Sequence, residues 1–241
     1  MNSRREAFLE EMGLAPLWRL KDRQQESAGR MEESAAVPAS AAPPQAIEPG
    51  ERAERIALMD WPELKSAVDA CTACGLRKTC RQTVFGVGDE QADWLLVGEA
   101  PGAEEDERGE PFVGQAGRLL DGMLAAIDLK RAENVYISNV LKCRPPGNRN
   151  PAPLEVAQCS PHLIRQVELV KPRLILAMGR FACQTLLNTE ASIASLRGRL
   201  HRYQGVPLIV TYHPAYLLRS PHDKAKAWED LCFARRTMAG L

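Results

Sequence analysis

The chain has 241 residues, enough for one or two domains with a buried core. Hydrophobic residues make up 45% and charged residues 26%, which is typical of a soluble globular protein and excludes a disordered chain. No apolar run approaches the ~20 residues that a membrane-spanning helix needs, and the amino terminus lacks a signal-peptide pattern. We therefore expect a cytoplasmic protein with no membrane partner, in which clustered cysteines favour metal binding over disulfides.

The zero net charge conceals an asymmetry along the chain. Residues 1–70 carry 9 basic and 13 acidic side chains. The whole chain has 31 of each, so residues 71–241 carry 22 basic and 18 acidic side chains. A modest basic excess in the remaining residues permits nucleic-acid binding without demonstrating it.

The spacing of apolar residues and the local composition divide the chain into three segments. Residues 1–23 place apolar side chains near helical spacing, which predicts a short amphipathic helix. Residues 24–60 are rich in Ala, Pro and Ser and cannot bury enough apolar surface to offset chain entropy, so we predict a disordered linker. Residues 61–241 form the predicted folded domain, and Pro62 suits the first turn of its first helix.

Four continuous apolar stretches within the folded domain predict strands that are buried on both faces, as in a parallel sheet. They cover residues 94–97, 135–138, 174–177 and 208–211. Helical patterns fall between and after them, at 115–128, 153–170, 180–188 and 222–238. The predicted fold is α/β, with three α/β/α layers around a central four-stranded parallel sheet. Ligands of such sheets bind beyond the carboxyl ends of the strands.

Polar side chains follow several of these predicted strands. The first strand leads into Gly98-Glu99-Ala100-Pro101-Gly102, the second ends at Asn139, and the fourth leads through Tyr212 to His213. A carboxylate, an amide and an imidazole are therefore expected at one edge of the sheet.

The cysteines form a second pattern. Cys71 and Cys74 make a C-x2-C pair, and Cys143 and Cys159 can complete a four-thiolate shell for zinc or an iron–sulfur cluster. Cys80 is an alternative fourth ligand, and zinc would be the more credible metal if Cys80 replaced Cys159. The pattern leaves open whether the metal performs the chemistry or holds the scaffold.

Four motifs resemble the family 4 uracil-DNA glycosylases, in the order expected for that family and over residues 61–236. They are Gly98–Gly102, Pro111-Phe112-Val113-Gly114, Asn139 with Lys142-Cys143-Arg144-Pro145-Pro146, and His213–Arg219. The resemblance implies a uracil-DNA glycosylase-like fold and a monofunctional enzyme that hydrolyses the N-glycosidic bond of uracil in DNA, initiating base-excision repair. It also implies a structural [4Fe–4S] cluster on Cys71, Cys74, Cys143 and Cys159, with zinc as the alternative.

The resemblance assigns roles to individual residues. Uracil would lie against Gly98, Glu99, Ala100, Pro101, Phe112, Asn139 and His213. Phe112 would stack on the base, Asn139 would read its O4 and N3–H edge, and His213 would stabilise negative charge on O2. Glu99 and Glu105 are candidates for positioning water and stabilising charge on the sugar. The alternatives are a core phenylalanine, a strand-capping asparagine, a structural histidine and, for Glu105, a solvated helix cap.

Further residues are predicted to contact DNA or a protein partner. Pro214, Tyr216, Leu217, Leu218 and Arg219 would form a wedge and a phosphate contact, with a core-packed helix start as the alternative. Arg144 and Arg149 would contact the DNA backbone or lie in a solvated loop. Residues 1–23 resemble a segment of the bacterial clamp-loader psi subunit, which suggests a replication or clamp-loader partner and keeps a second hypothesis open, a non-catalytic DNA-binding accessory.

Overall fold

The structure is a computed structural model that describes residues 49–241. The predicted helix at 1–23, with its proposed replication partner, and residues 24–48 of the predicted linker lie outside the described residues. None of the helices in residues 49–241 is long and apolar enough to cross a membrane.

A mixed six-stranded sheet forms the centre of the described region. Its strands are β1 (Val87–Gly88), β2 (Trp94–Gly98), β3 (Val135–Asn139), β4 (Leu174–Met178), β5 (His201–Tyr203) and β6 (Val206–Thr211). Their order is β1-β3-β2-β4-β6-β5. The four strands in the middle are parallel, which confirms the predicted central sheet, while β1 and β5 add antiparallel edges. These edge strands have two and three residues, too few to show a sequence period.

Nine α-helices in the described region surround the sheet. They are α1 (Pro49–Leu58), α2 (Trp61–Asp69), α3 (Ala103–Arg108), α4 (Gln115–Ala125), α5 (Pro153–Val170), α6 (Arg180–Leu187), α7 (Ile193–Leu196), α8 (Pro214–Arg219) and α9 (Lys224–Ala239). The four helices predicted between and after the strands are all present, with ends that differ by a few residues. Short 3-10 turns occur at Gly75–Lys78, Pro146–Asn148 and Pro221–Asp223.

Each face of the sheet packs against its own hydrophobic cluster. Alternate residues of β2 separate to the two sides, since Leu95 and Val97 join one cluster while Trp94 and Leu96 join the other. Every residue of β2, β3 and β4 is buried. Burial on both faces explains why these strands appear in the sequence as continuous apolar runs.

Helix α1 lies inside the segment that the composition assigned to a disordered linker. Its Ile56 is buried, and Arg52 Nη1 donates a hydrogen bond to the carbonyl oxygen of Gln158 on α5 at 2.8 Å. Within the described residues, packed helical structure is therefore already present at residues 49–58, upstream of the predicted domain boundary at residue 61. The stretch is rich in Glu and Arg, so its composition conceals a helix that depends on tertiary packing.

Candidate active site and cysteine cavity

A cleft of about 700 Å³ lies at the carboxyl ends of the parallel strands. Six of the seven residues predicted to contact uracil line it, namely Glu99, Ala100, Pro101, Phe112, Asn139 and His213. The seventh, Gly98, lies at the end of β2 against this group: a Cβ at Gly98 would lie 2.7 Å from Phe112 Cζ. A side chain at position 98 would therefore displace the aromatic ring from the cleft wall.

Phe112 adopts a backbone conformation that non-glycine residues rarely use, with φ of 56°. Arg131 fixes this conformation by donating to the carbonyl oxygens of Pro111 at 3.0 Å and Phe112 at 2.8 Å. The Phe112 ring stacks on His213, with centroids 5.3 Å apart. Such strain persists only where surrounding contacts over-determine it and is found preferentially at functional sites. Phe112 is thus held as one wall of the cleft.

The Glu105 carboxylate anchors the Phe112 loop. It accepts hydrogen bonds from the backbone amides of Gly102 at 3.1 Å, Val113 at 2.9 Å and Gly114 at 3.2 Å. These bonds occupy much of the carboxylate's acceptor capacity. The geometry favours the helix-capping alternative over a water-activating role for Glu105.

Glu99 differs from Glu105 because its carboxylate has no hydrogen-bond or ion-pair partner among the described residues. Burial raises the pKa of the Glu99 carboxyl group, and the charge of Arg180 opposes that rise. Glu99 is half-buried in the cleft wall. Its oxygens are therefore available to a water molecule or a ligand.

Asn139 ends β3 with an unsatisfied side chain. It is 2% exposed, and its Oδ1 atom has no hydrogen-bond partner among residues 49–241. An unpaired buried acceptor costs ~1–3 kcal/mol, so native proteins rarely keep one without a reason. Asn139 lines the cleft, which makes a ligand donor the natural partner for Oδ1.

His213 is fixed as a neutral hydrogen-bond donor. Its Nδ1 atom accepts the backbone N–H of Ala215 at 3.1 Å, which places the ring proton on Nε2. Burial lowers the pKa of His213 to about 4, with the charge of Arg219 acting in the same direction. A Cβ at Gly179, where φ is 90°, would lie 2.8 Å from His213 Cβ, so glycine allows this close approach.

The predicted DNA wedge is only partly exposed. Pro214 and Leu217 lie on the buried side of α8. Tyr216 stacks on Tyr212, and its hydroxyl donates to Asp223 Oδ2 at 2.7 Å. Leu218 and Arg219 remain exposed, Leu218 with 41% of its surface. The wedge prediction is therefore corrected for Pro214 and Leu217, which pack inward, whereas Tyr216 is half-buried and lines the cleft.

The predicted backbone contacts Arg144 and Arg149 have protein partners. Arg149 pairs with both oxygens of Glu155, at 2.9 and 2.5 Å, and Arg144 Nε donates to Asn148 Oδ1 at 2.8 Å. These bonds order the Pro146–Asn148 turn and reduce the availability of both arginines to phosphate.

Arg180 is a cleft residue that the motif analysis did not assign to the site. It begins α6 directly after β4, is exposed, and makes no ion pair with any residue in 49–241. Its position at the end of a parallel strand was the signal that could have identified it.

The four predicted metal ligands line one small cavity of about 20 Å³, together with His162 and Leu141. Burial raises the pKa of Cys143, and it raises that of Cys159 to about 11. Two N–H groups point at sulfur: Lys142 N donates to Cys159 Sγ at 3.3 Å and Arg52 Nη2 donates to Cys71 Sγ at 3.5 Å.

The donor set of this cavity suits a soft metal centre. Four thiols with N–H donors to two of the sulfurs are the surroundings that thiolate-bound zinc or iron–sulfur clusters require. Cys80 also lies beside Cys143 but does not line the cavity. Within residues 49–241, no three His, Cys, Asp or Glu side chains are already arranged as they would be around a metal ion.

The sequence matches known proteins over the same region. Residues 85–232 match the model of the uracil DNA glycosylase superfamily. A type-4 uracil-DNA glycosylase of Archaeoglobus fulgidus is 48% identical over 160 residues, which cover 63% of this chain and 80% of that protein. One of Pyrobaculum aerophilum is 41% identical over 181 residues, 72% of this chain and 92% of that protein.

A type-5 uracil-DNA glycosylase from the same Pyrobaculum species is less similar, at 32% identity over 148 residues, covering 54% of this chain and 64% of that protein. The superfamily match covers more than half of the chain, and the two type-4 proteins are matched over most of their length. The chain therefore belongs to the type-4 uracil-DNA glycosylase family.

Proposed function

We propose that this protein excises uracil from DNA by hydrolysing its N-glycosidic bond, which leaves an abasic site for base-excision repair. The observation that carries the proposal is the cleft in which an unpaired amide oxygen, a neutral imidazole donor and an aromatic ring meet, on Asn139, His213 and Phe112. A duplex hides the glycosidic bond, so the target nucleotide has to be flipped into such a pocket.

Asn139 would select uracil. Its unpaired Oδ1 accepts from uracil N3–H, while its Nδ2 donates to O4. Cytosine presents the opposite polarity at these positions and would leave buried groups unpaired, at a cost of ~1–3 kcal/mol for each.

His213 would stabilise the leaving group. When the bond between C1′ and uracil N1 breaks, its electron pair passes to the base and negative charge develops on O2. The Nε2–H of the neutral His213 ring donates to that oxygen and is preorganised by the Ala215 amide. Glu99 holds the attacking water and stabilises positive charge on the sugar. When the water oxygen bonds to C1′, one water proton passes to the Glu99 carboxylate and then, through solvent, to the uracil anion, which leaves as neutral uracil. Glu105 contributes by anchoring the Phe112 loop.

The cavity formed by Cys71, Cys74, Cys143 and Cys159 would hold a [4Fe–4S] cluster, with zinc as the alternative. The bound group would supply structural cross-linking, because N-glycoside hydrolysis transfers no electrons. Support comes from the four thiols and the two N–H donors to sulfur. Under this proposal the metal centre fixes the loop between Asn139 and Cys143.

The activity is tested by incubating the protein with a single-uracil oligonucleotide and then cleaving abasic sites with alkali. We expect strand cleavage at the uracil position and none with a thymine control. Binding without cleavage by a metal-loaded preparation would instead favour the non-catalytic accessory hypothesis.

For the metal centre, we expect anaerobically purified protein to contain roughly four iron atoms per chain and to absorb visible light. Cys143→Ala should lose iron, whereas the matched change Cys80→Ala should retain it, since Cys80 does not line the cavity. Iron and zinc are measured by elemental analysis. One zinc per chain, or loss of metal in Cys80→Ala, would contradict this assignment.

For DNA binding, Arg219→Ala and Arg180→Ala should each weaken affinity and reduce the salt dependence of log K by about one unit of slope per phosphate contact. Both arginines are exposed at the cleft and free of ion pairs with the described residues. Fluorescence anisotropy at several salt concentrations measures the slope. Arg202→Ala on β5, outside the cleft, is the control, and an equal change in this control would remove the assignment.

A further inference from the structure

Lys142 is a buried cation that the mechanism above does not use. Its side chain is 2% exposed, and it lies three residues after Asn139 and one before Cys143. Lysines are almost never fully buried unless they are paired. No carboxylate within the described residues pairs with this one, whose side-chain partners are neutral oxygens. A structural core position could be filled at lower cost by an apolar side chain.

Three neutral oxygens surround the Lys142 ammonium group. Nζ donates to Ser138 Oγ at 2.6 Å, to Gln166 Oε1 at 2.7 Å and to the backbone carbonyl oxygen of Asn139 at 2.8 Å. All three N–H groups of the ammonium are thus used. One of the three bonds therefore ends on the residue that lines the cleft with an unpaired amide oxygen.

The surrounding network joins β3 to the helix that carries a cavity cysteine. Gln166 lies on α5, seven residues after Cys159, and its Nε2 donates to the carbonyl oxygen of Phe85 at 2.9 Å. The backbone N–H of Lys142 donates to Cys159 Sγ at 3.3 Å. Lys142 therefore connects the end of β3 with α5 through both its side chain and its backbone.

We propose that Lys142 is a positioning residue for base recognition: by holding the Asn139 carbonyl oxygen, it fixes the peptide from which the Asn139 side chain enters the cleft. The inference rests on the proposed function in one respect, that Asn139 contacts uracil. Lys142 itself does not line the cleft; it lines the cysteine cavity. Misplacement of a recognition group by ~1 Å can cost ~10²-fold in rate.

The first test is Lys142→Met, which keeps a long side chain and removes all three donors. We expect kcat/KM on a uracil-containing oligonucleotide to fall by ~10²-fold. We also expect Lys142→Met to lower kcat/KM little further when Asn139 is already alanine, because the effects of two mutations that remove the same interaction are not additive. Additive losses, or wild-type kcat/KM in Lys142→Met, would overturn the proposal.

A second variant separates positioning from stability. The double variant Lys142→Met, Gln166→Leu replaces both partners of a buried hydrogen bond by apolar groups. It should therefore be more stable than Lys142→Met alone, which removes only one of the two partners. Ser138 Oγ can still donate to the Phe85 carbonyl oxygen, 3.4 Å away. The Asn139 carbonyl oxygen stays without its donor, so activity should stay low while the melting temperature recovers. Recovery of activity together with stability would show a purely structural role.

A readout without catalysis distinguishes this inference from the proposed function. The side-chain amide resonances of Asn139 in NMR spectra should shift or broaden in the double variant, while those of Asn134, which directly precedes β3, should not. Unchanged Asn139 resonances would overturn the positioning role even if the enzyme is active. If the wild-type protein lacks glycosylase activity, shifted Asn139 resonances in the double variant would support the positioning role and refute the proposed function.

Discussion

His213→Ala should lower kcat for uracil excision by about 10²–10³-fold, or about 3–4 kcal/mol of transition-state stabilisation, while the protein stays folded. The reason is that the neutral ring donates its Nε2–H to charge that develops only as the bond breaks. The Ala215 N–H holds the ring in that tautomer. Single-turnover kinetics with a uracil-containing oligonucleotide measure the loss. His222→Ala, on an exposed side chain outside the cleft, should keep the wild-type rate.

The same residue has a measurable titration. Burial lowers the pKa of His213 to about 4 in the folded protein, against an unfolded value near 6.5. The unfolded chain therefore binds the extra proton first, and stability that is complete above pH 6.5 declines as the pH falls towards 4. We expect the His213 ring to titrate near pH 4 by NMR, and activity to show no step at pH 6.5. Titration near 6.5 would contradict the neutral-donor role.

Asn139→Ala should abolish most activity without destabilising the fold. The variant removes the groups that read uracil, so kcat/KM should fall by orders of magnitude and discrimination against cytosine should be lost. It also removes an unpaired buried oxygen that costs the free protein ~1–3 kcal/mol, which offsets the loss of packing. Kinetics and thermal melting, measured on the same preparation, test both parts.

Asn134→Ala is the matched control for this prediction because Asn134 directly precedes β3, whereas Asn139 ends it. Asn134 accepts from the Asp93 amide at 2.6 Å, donates to Asp93 Oδ2 at 3.0 Å and has a φ of 55°, which alanine disfavours. It should lose stability and keep activity, the reverse of the expected behaviour of Asn139→Ala. A large loss of stability in Asn139→Ala would favour the strand-capping alternative.

The sequence by itself predicted the central sheet and the composition of the cleft. Continuous apolar runs such as Leu174–Met178 occur where both faces of a strand are buried, so they identify parallel strands without tertiary information. Strand ends then place Glu99, Asn139 and His213 on one edge, because the carboxyl ends of parallel strands coincide.

Only the tertiary structure determined which polar groups are free. Glu105 and Glu99 both follow β2 in the chain. The Glu105 carboxylate accepts hydrogen bonds from three backbone amides, whereas the Glu99 carboxylate has no partner among the described residues. Arg149 pairs with Glu155, whereas Arg180, further along the chain, lines the cleft and has no ion-pair partner in the part of the chain that the structure describes. Hydrogen bonds form within about 3 Å and depend on segments far apart in sequence, so no local pattern encodes them.

The same distinction applies to Leu217 and Lys142. Leu217 belongs to a motif predicted to form an exposed DNA wedge, but the packing of α8 buries its side chain. In the sequence, Lys142 is one residue of the Lys142–Pro146 motif and has no assigned role. Folding brings Ser138, Gln166 and the Asn139 carbonyl oxygen around its ammonium group. Residue types and their order determined the chemistry available to this protein, whereas burial and non-local hydrogen bonding determined which groups can use it.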